Sequence, residues 1–316
     1  MDKDKQQESV TGGGGSLMLK VNHLIGFGGG VGVTAFVFQG STSGYIAGGA
    51  SLNVIDKASY TSDANATDVG DLLTSRWDNA GGASSTHGYS MGGNSDVDVI
   101  QKYTYATDAN STDVSNLSVG RDGAGGSSSG THVYTMGGNP GGATNVVDKH
   151  AVATSDDATD VGDLSVARHN TTGQSTTTHA YCAGGFNGGN SDVIDKVPFA
   201  TDGNLTDVGN LTLGRGDVCG QTSTAHAYVM GGFTSVAVNN IDKHDISSDN
   251  NATDVGDLSV TRADSGGTSS TTHGYDHGGS AGSNVIDKVD FSSDGNATDV
   301  GDLTVGRNAC TSGSQV

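Results

Sequence analysis

A single repeating unit constrains this chain more than any other feature. Gly-Gly doublets begin at Gly48, Gly92, Gly137, Gly184, Gly231 and Gly278, spaced 44, 45, 47, 47 and 47 residues apart. An arginine closes each unit in step: Arg76, Arg121, Arg168, Arg215, Arg262 and Arg307. Eleven residues after each of the first five comes a histidine: His87, His132, His179, His226 and His273. A fixed internal offset amid uneven loops means one structural unit copied six times.

Each copy reads as four short strands. The first is the Ser/Thr/Gly-rich stretch after the arginine, residues 267–271 in the last copy. The second runs from His-x-Tyr to the glycine doublet, as from His226 to Met230. The third alternates β-branched and polar residues through Val-Ile-Asp-Lys, residues 284–291 in the last copy. The fourth follows an Asp/Asn-rich turn and carries Thr-Asp-Val-Gly-Asp-Leu, residues 298–305 there. No helical periodicity extends over ten or more residues. Such units in six copies predict an all-β fold, a six-bladed β-propeller with four-stranded blades over residues 43–316.

The ends predict how the ring closes. After Arg307 nine residues remain, room for a first strand but not a second. Near the N-terminus, Ser43-Gly44-Tyr45-Ile46-Ala47 reads as a second strand. The N- and C-terminal strands are therefore expected to share one blade, which leaves the ring without a free edge. Residues 33–41 compete for the same first-strand position.

Hydrophobic content of 33% and a net charge of −20 would by themselves lean toward disorder. A repeat array escapes that fate, because each unit adds a little to one continuous core. The acidic balance argues against nucleic acid as a partner, since phosphate binding needs clustered Lys and Arg. Cys182, Cys219 and Cys310 are odd in number and carry no disulfide or zinc spacing, so they are expected to be small buried residues. Residues 1–16 are polar, end in four glycines and read as a flexible tail. Residues 17–42 read as a glycine-rich apolar lead-in or attachment segment, too interrupted for a membrane span.

Tyr-x-x-Gly-Gly at Tyr89, Tyr134 and Tyr275, followed by Val-Ile-Asp-Lys-x-x-Phe and the closing arginine, resembles the kelch family of propellers. The resemblance covers about residues 43–316. It lacks the tryptophan that kelch units usually carry in the fourth strand; Trp77 is the sole tryptophan. Asn-Val-Ile-Asp-Lys, Asn-Ala-Thr-Asp-Val-Gly-Asp-Leu and Ser-Thr-Thr-His-Gly-Tyr are similar to the kelch-like repeats in virion structural proteins of marine tailed phages. That resemblance implies a non-enzymatic protein of the virion, tail- or particle-surface-associated. Its implied partners are other virion proteins or neighbouring subunits, and a host surface glycan or protein. Propellers host many functions, so two other classes stay open. One is a bacterial adhesin or lectin-like propeller, at the cell surface or secreted; the other is a galactose-oxidase-like enzyme.

No motif requires a cofactor. The turn from Asp63 to Asp71 spaces oxygen donors like a calcium loop, yet Asp68 stands where such a loop needs glycine. Asx turns account for the same residues. The repeated His and Arg are expected to bond between blades or to the repeated Asp, since a feature in every blade is scaffold. Binding is expected instead in the uneven loops after the glycine doublets. These run three residues in the first copy, four in the second and sixth, and six in the others, at 139–144, 186–191 and 233–238. Asn139, Phe186, Asn187 and Phe233 are the ligand-contact candidates, and both phenylalanines are expected to be exposed.

Overall fold

The computed structural model describes residues 38–308 and 314–315. Six antiparallel four-stranded sheets form a six-bladed β-propeller. Blade two is representative, with strands Ala80–Ala83, His87–Met91, Val99–Thr104 and Thr112–Asn116 from axis to rim. Blades three to six repeat this order, ending with Thr298–Asp302. Blade one is composite. Its first strand is the C-terminal Ser314–Gln315, antiparallel to Ser43–Ala47, with Gly44 opposite Gln315. The competing segment falls elsewhere: Gly40 bridges Ser270 of blade six, and residues 33–37 lie outside the described residues. The tail and most of the lead-in, residues 1–37, also lie outside them.

The low hydrophobic content suffices because the core is divided among the junctions. One cluster joins Tyr89, Met91, Ile100 and Leu117 of blade two to Val133 and Ala158 of blade three. Another joins Tyr228, Met230, Ile241 and Leu258 of blade five to Val289 and Ala297 of blade six. Near the axis the packing is backbone on backbone. A Cβ on Gly126 would lie 1.9 Å from the Gly81 carbonyl oxygen, and one on Gly173 would lie 2.0 Å from that of Gly126. The small-residue composition of the first strands is thus a steric requirement of a tight ring.

The third strands break alternation. Ile55 and Asp56 are both buried, as are Ile241 and Asp242, because a bulge in the pairing with the fourth strand falls between them. The bulge lets an acidic residue follow a core residue inward. That acid locks the blades together.

Candidate functional site

At the blade four to five junction, Arg215 leaves the end of blade four and inserts into blade five. Its Nη1 donates to Asp242 Oδ2 at 3.0 Å, and its Nε, Nη1 and Nη2 donate to the carbonyls of Gly231, Leu213 and Val229. Asp242 also accepts from the Thr212 amide at 2.8 Å and its hydroxyl at 2.6 Å, both in blade four. The same pairing joins Arg121 to Asp148, Arg168 to Asp195, Arg262 to Asp287 and Arg307 to Asp56. The arginine carbonyl meanwhile accepts from the second glycine of its own blade's doublet, as Gly185 N to Arg215 O at 2.9 Å. A Cβ on Gly184 would lie 2.7 Å from that carbonyl, and Gly184 has φ +66, so the doublet makes the passage possible. The repeated Arg and Asp are therefore scaffold, as expected.

The histidines are local. His87, His132, His179 and His273 each hold the preceding threonine hydroxyl at 2.8 Å through Nδ1. The Asp-rich turns also face their neighbours. Asp63 pairs with Lys288 at 2.6 Å, Asn65 accepts the Asp302 amide at 3.1 Å, and Asp68 accepts the Gly70 amide at 3.2 Å. Those donors serve the turn and the adjacent blade rather than converging on a common centre. Among the described residues, no three His, Cys, Asp or Glu side chains are placed to hold a metal ion together. Cys182 and Cys219 are free and buried; Cys310 lies outside the described residues.

The candidate loops lie over the connections that lead into each first strand. Isolated bridges join Asn139 to Asp122, Phe186 to His169 and Phe233 to Gly216. Asn139 is half-buried and Asn187 exposed. Phe186 corrects the sequence expectation: it is half-buried, its ring 5.8 Å from His169 and close enough to Gly216 that a Cβ there would clash with it. A bulky loop residue here caps the junction with the next blade. Phe233 is 38% exposed and Val236 63%, and Asn190 donates to the Thr234 carbonyl, tying the loops of blades four and five together. Among the candidate loops, the exposed large apolar side chains thus lie in blade five; further exposed residues, such as Leu73, Val119 and Val260, stand in the connections that follow the fourth strands.

The same face holds a feature absent from the sequence reading. Two residues after Arg76, Arg121, Arg168, Arg215 and Arg262 stand Asp78, Gly123, Asn170, Asp217 and Asp264. All five have φ between +54 and +60. Their backbones form a chain around the axis: Gly123 N donates to Asp78 O, Asn170 N to Gly123 O, Asp217 N to Asn170 O, and Asp264 N to Asp217 O, at 2.6–3.0 Å. Together they line a small axial cup. Burial, then the facing carboxylates Asp264 and Asp122, push the Asp78 carboxyl up to about 7. Burial and Asp217 push Asp264 up to about 7 as well. Asp217 is raised by burial and by Asp78, against a hydrogen bond from the Asn170 amide that lowers it. Asp, Asn and Gly tolerate the left-handed backbone, which is the signal that could have revealed this position.

No protein-family model matches the chain, and a search of curated proteins finds no match to it.

Proposed function

We propose that this propeller is a non-enzymatic recognition and structural module of a virion surface, of kelch-like type, with its loop face turned toward a partner. The observation that carries the reading is the polarity of the ring. The uneven loops and the axial cup share one face. The chain enters at the opposite face, where Gln39 Nε2 donates to the Thr222 carbonyl at 3.0 Å and Gly40 bridges Ser270. A module tethered from one face leaves the other free to present Phe233, Val236 and their neighbours. The non-enzymatic part rests on how the repeated ionisable groups are used: each repeated Arg bonds into the next blade, and Lys57, Lys149, Lys196, Lys243 and Lys288 each pair with an Asp of the neighbouring blade. The virion part rests on the sequence resemblance.

Two experiments test the two parts. Electron microscopy of assembled particles should place the chain on the tail or particle surface; particles that lack it would remove the virion reading and favour an adhesin. Binding to host cells should fall in a Phe233→Ala, Val236→Ala double variant whose thermal midpoint is unchanged. Undiminished binding would remove the loop face from the account.

A further inference from the structure

The face opposite the loops carries a second asymmetry, at the junction of blades five and six. A cleft of about 470 Å³ opens there between the turns that precede the second strands. His226, His273, Asp290, Phe291, Thr224 and Thr271 line it. Two departures from the repeat, Ala225 and Asp290, line this cleft, and a third, Asp245, lies outside its lining. Ala225 stands where the other His-bearing blades have Thr86, Thr131, Thr178 and Thr272. Those four threonines hold the neighbouring imidazole; Ala225 has no hydroxyl to hold His226 and takes less room. Asp245 and Asp290 stand directly across from His226 and His273, where blades two, three and four have Thr104, Ala151 and Pro198.

The junction of blades three and four supplies an internal control. Phe199 stacks on Tyr134 there with centroids 5.2 Å apart, much as Phe291 stacks on Tyr228 at 4.8 Å. Yet Pro198 replaces Asp290, and Thr131 binds His132. The aromatic pair is thus scaffold. The carboxylate recurs at the four to five junction as Asp245, where Ile246 replaces the aromatic ring. What is particular to the five to six junction is the combination of a carboxylate, an aromatic wall and His226 with no threonine immediately before it.

From this we propose that the cleft binds a neutral saccharide unit, one or two sugar rings in size. Its volume lies within the range of about 300–1,000 Å³ usual for small-molecule sites. The lining offers a carboxylate, an imidazole and threonine hydroxyls, which suit a ligand bearing several hydroxyl groups. Asp290 accepts the Ser292 amide through Oδ1 at 2.8 Å and is held by the Ser292 side chain as well, which fixes a carboxylate with acceptor capacity to spare for a ligand hydroxyl. Phe291 adds an apolar wall for ring C–H groups. No lysine or arginine lines the cleft, and Asp290 repels phosphate and carboxylate ligands, so the selectivity is for uncharged sugars. The site stands apart from the loop face, so either can fail without the other.

The test is saturation-transfer NMR of the full chain with methyl glycosides of glucose, galactose, mannose and N-acetylglucosamine, with sugar phosphates alongside. At least one neutral glycoside should bind, and Ala225→Thr should weaken it by about tenfold or more. That variant only restores the residue four other blades carry, so the fold should tolerate it. Asp290→Ala should weaken binding to a similar extent, with an unchanged thermal midpoint. Three outcomes would overturn the assignment: no binding by any neutral glycoside, binding indifferent to both variants, or preference for sugar phosphates. Loss of binding in the Phe233→Ala, Val236→Ala variant but not in Ala225→Thr would place the sugar on the loop face and overturn it too.

Discussion

The junction between blades one and two differs from the other five in one instructive way. At those five, a buried aspartate pairs with the incoming arginine. At the first, Gln101 replaces the aspartate, and Arg76 donates instead to the carbonyls of Gly92 at 2.6 Å and Val99 at 3.2 Å. Gln101 Oε1 still accepts the backbone amide arriving from the previous blade, that of Leu73, at 2.8 Å. A second change accompanies the first. Ser111 stands where the other copies have Ala66, Ala158, Leu205, Ala252 and Ala297, and its hydroxyl donates to Gln101 Oε1 at 2.6 Å. The comparison teaches that the junction's common element is a buried side-chain acceptor for the strand-end amide, while the arginine is held by a carboxylate at five junctions and by carbonyls alone at the first. Charge is one way of supplying that acceptor.

Breaking a charged junction should have the largest effect. Asp242→Ala strands Arg215 in a buried site and orphans the Thr212 amide, so it should cost roughly 3–5 kcal/mol in equilibrium unfolding. A loss under about 1 kcal/mol would mean that water or the carbonyls replace the carboxylate.

The axial cup predicts the next effect, through pH. Asp78 and Asp264 hold protons up to about 7 in the folded ring, against about 4 when unfolded. The folded state thus binds more protons in this window, and stability should fall as pH rises from about 4 to about 7. Asp122, Asp217 and the nearby His169 face the same groups and shape the curve. A decline on the order of a few kcal/mol is expected, flattened in an Asp78→Asn, Asp264→Asn variant. Asn170 shows that asparagine fits the left-handed backbone at this position. An unchanged slope in that variant would assign the decline to other groups.

Converting the odd junction to the common form sharpens the comparison. Gln101→Asp with Ser111→Ala should leave stability within about 1 kcal/mol of the parent or raise it, while Gln101→Asp alone should do worse. Equal effects would mean that Ser111 is not the compensating partner.

The smallest effect belongs to the outer ion pairs. Lys196 holds Asp249 at 2.8 Å, with 18% and 59% of their side chains exposed. Lys196→Ala should cost about 0–1 kcal/mol and depend on salt.

The sequence made these interior contacts legible because they repeat. Arg, Asp and the glycine doublet recur at constant offset, so copy-to-copy comparison separates scaffold from variation before any coordinates. Closure by the C-terminal strand was legible for the same reason, since the missing strand at one end matches the surplus at the other. The axial cup was not, because its residues vary in type and share only a backbone conformation. Phe186 misled because a loop aromatic reads as exposed until the next blade's Gly216 is seen beneath it. The cleft at blades five and six was hidden in an absence: Ala225 draws attention only once the threonines of the other blades are seen to hold their histidines.

A buried carboxylate matters most in this ring where it compensates a buried arginine. Thermal unfolding of Asp195→Ala and Gln101→Ala, measured side by side, tests this most directly. Asp195 pairs with Arg168 at 2.9 Å, whereas Gln101 serves a junction whose arginine relies on carbonyls. The midpoint of Asp195→Ala should fall by roughly 5–10 °C, and that of Gln101→Ala by less than half as much. Equal falls, or a larger fall for Gln101→Ala, would contradict it.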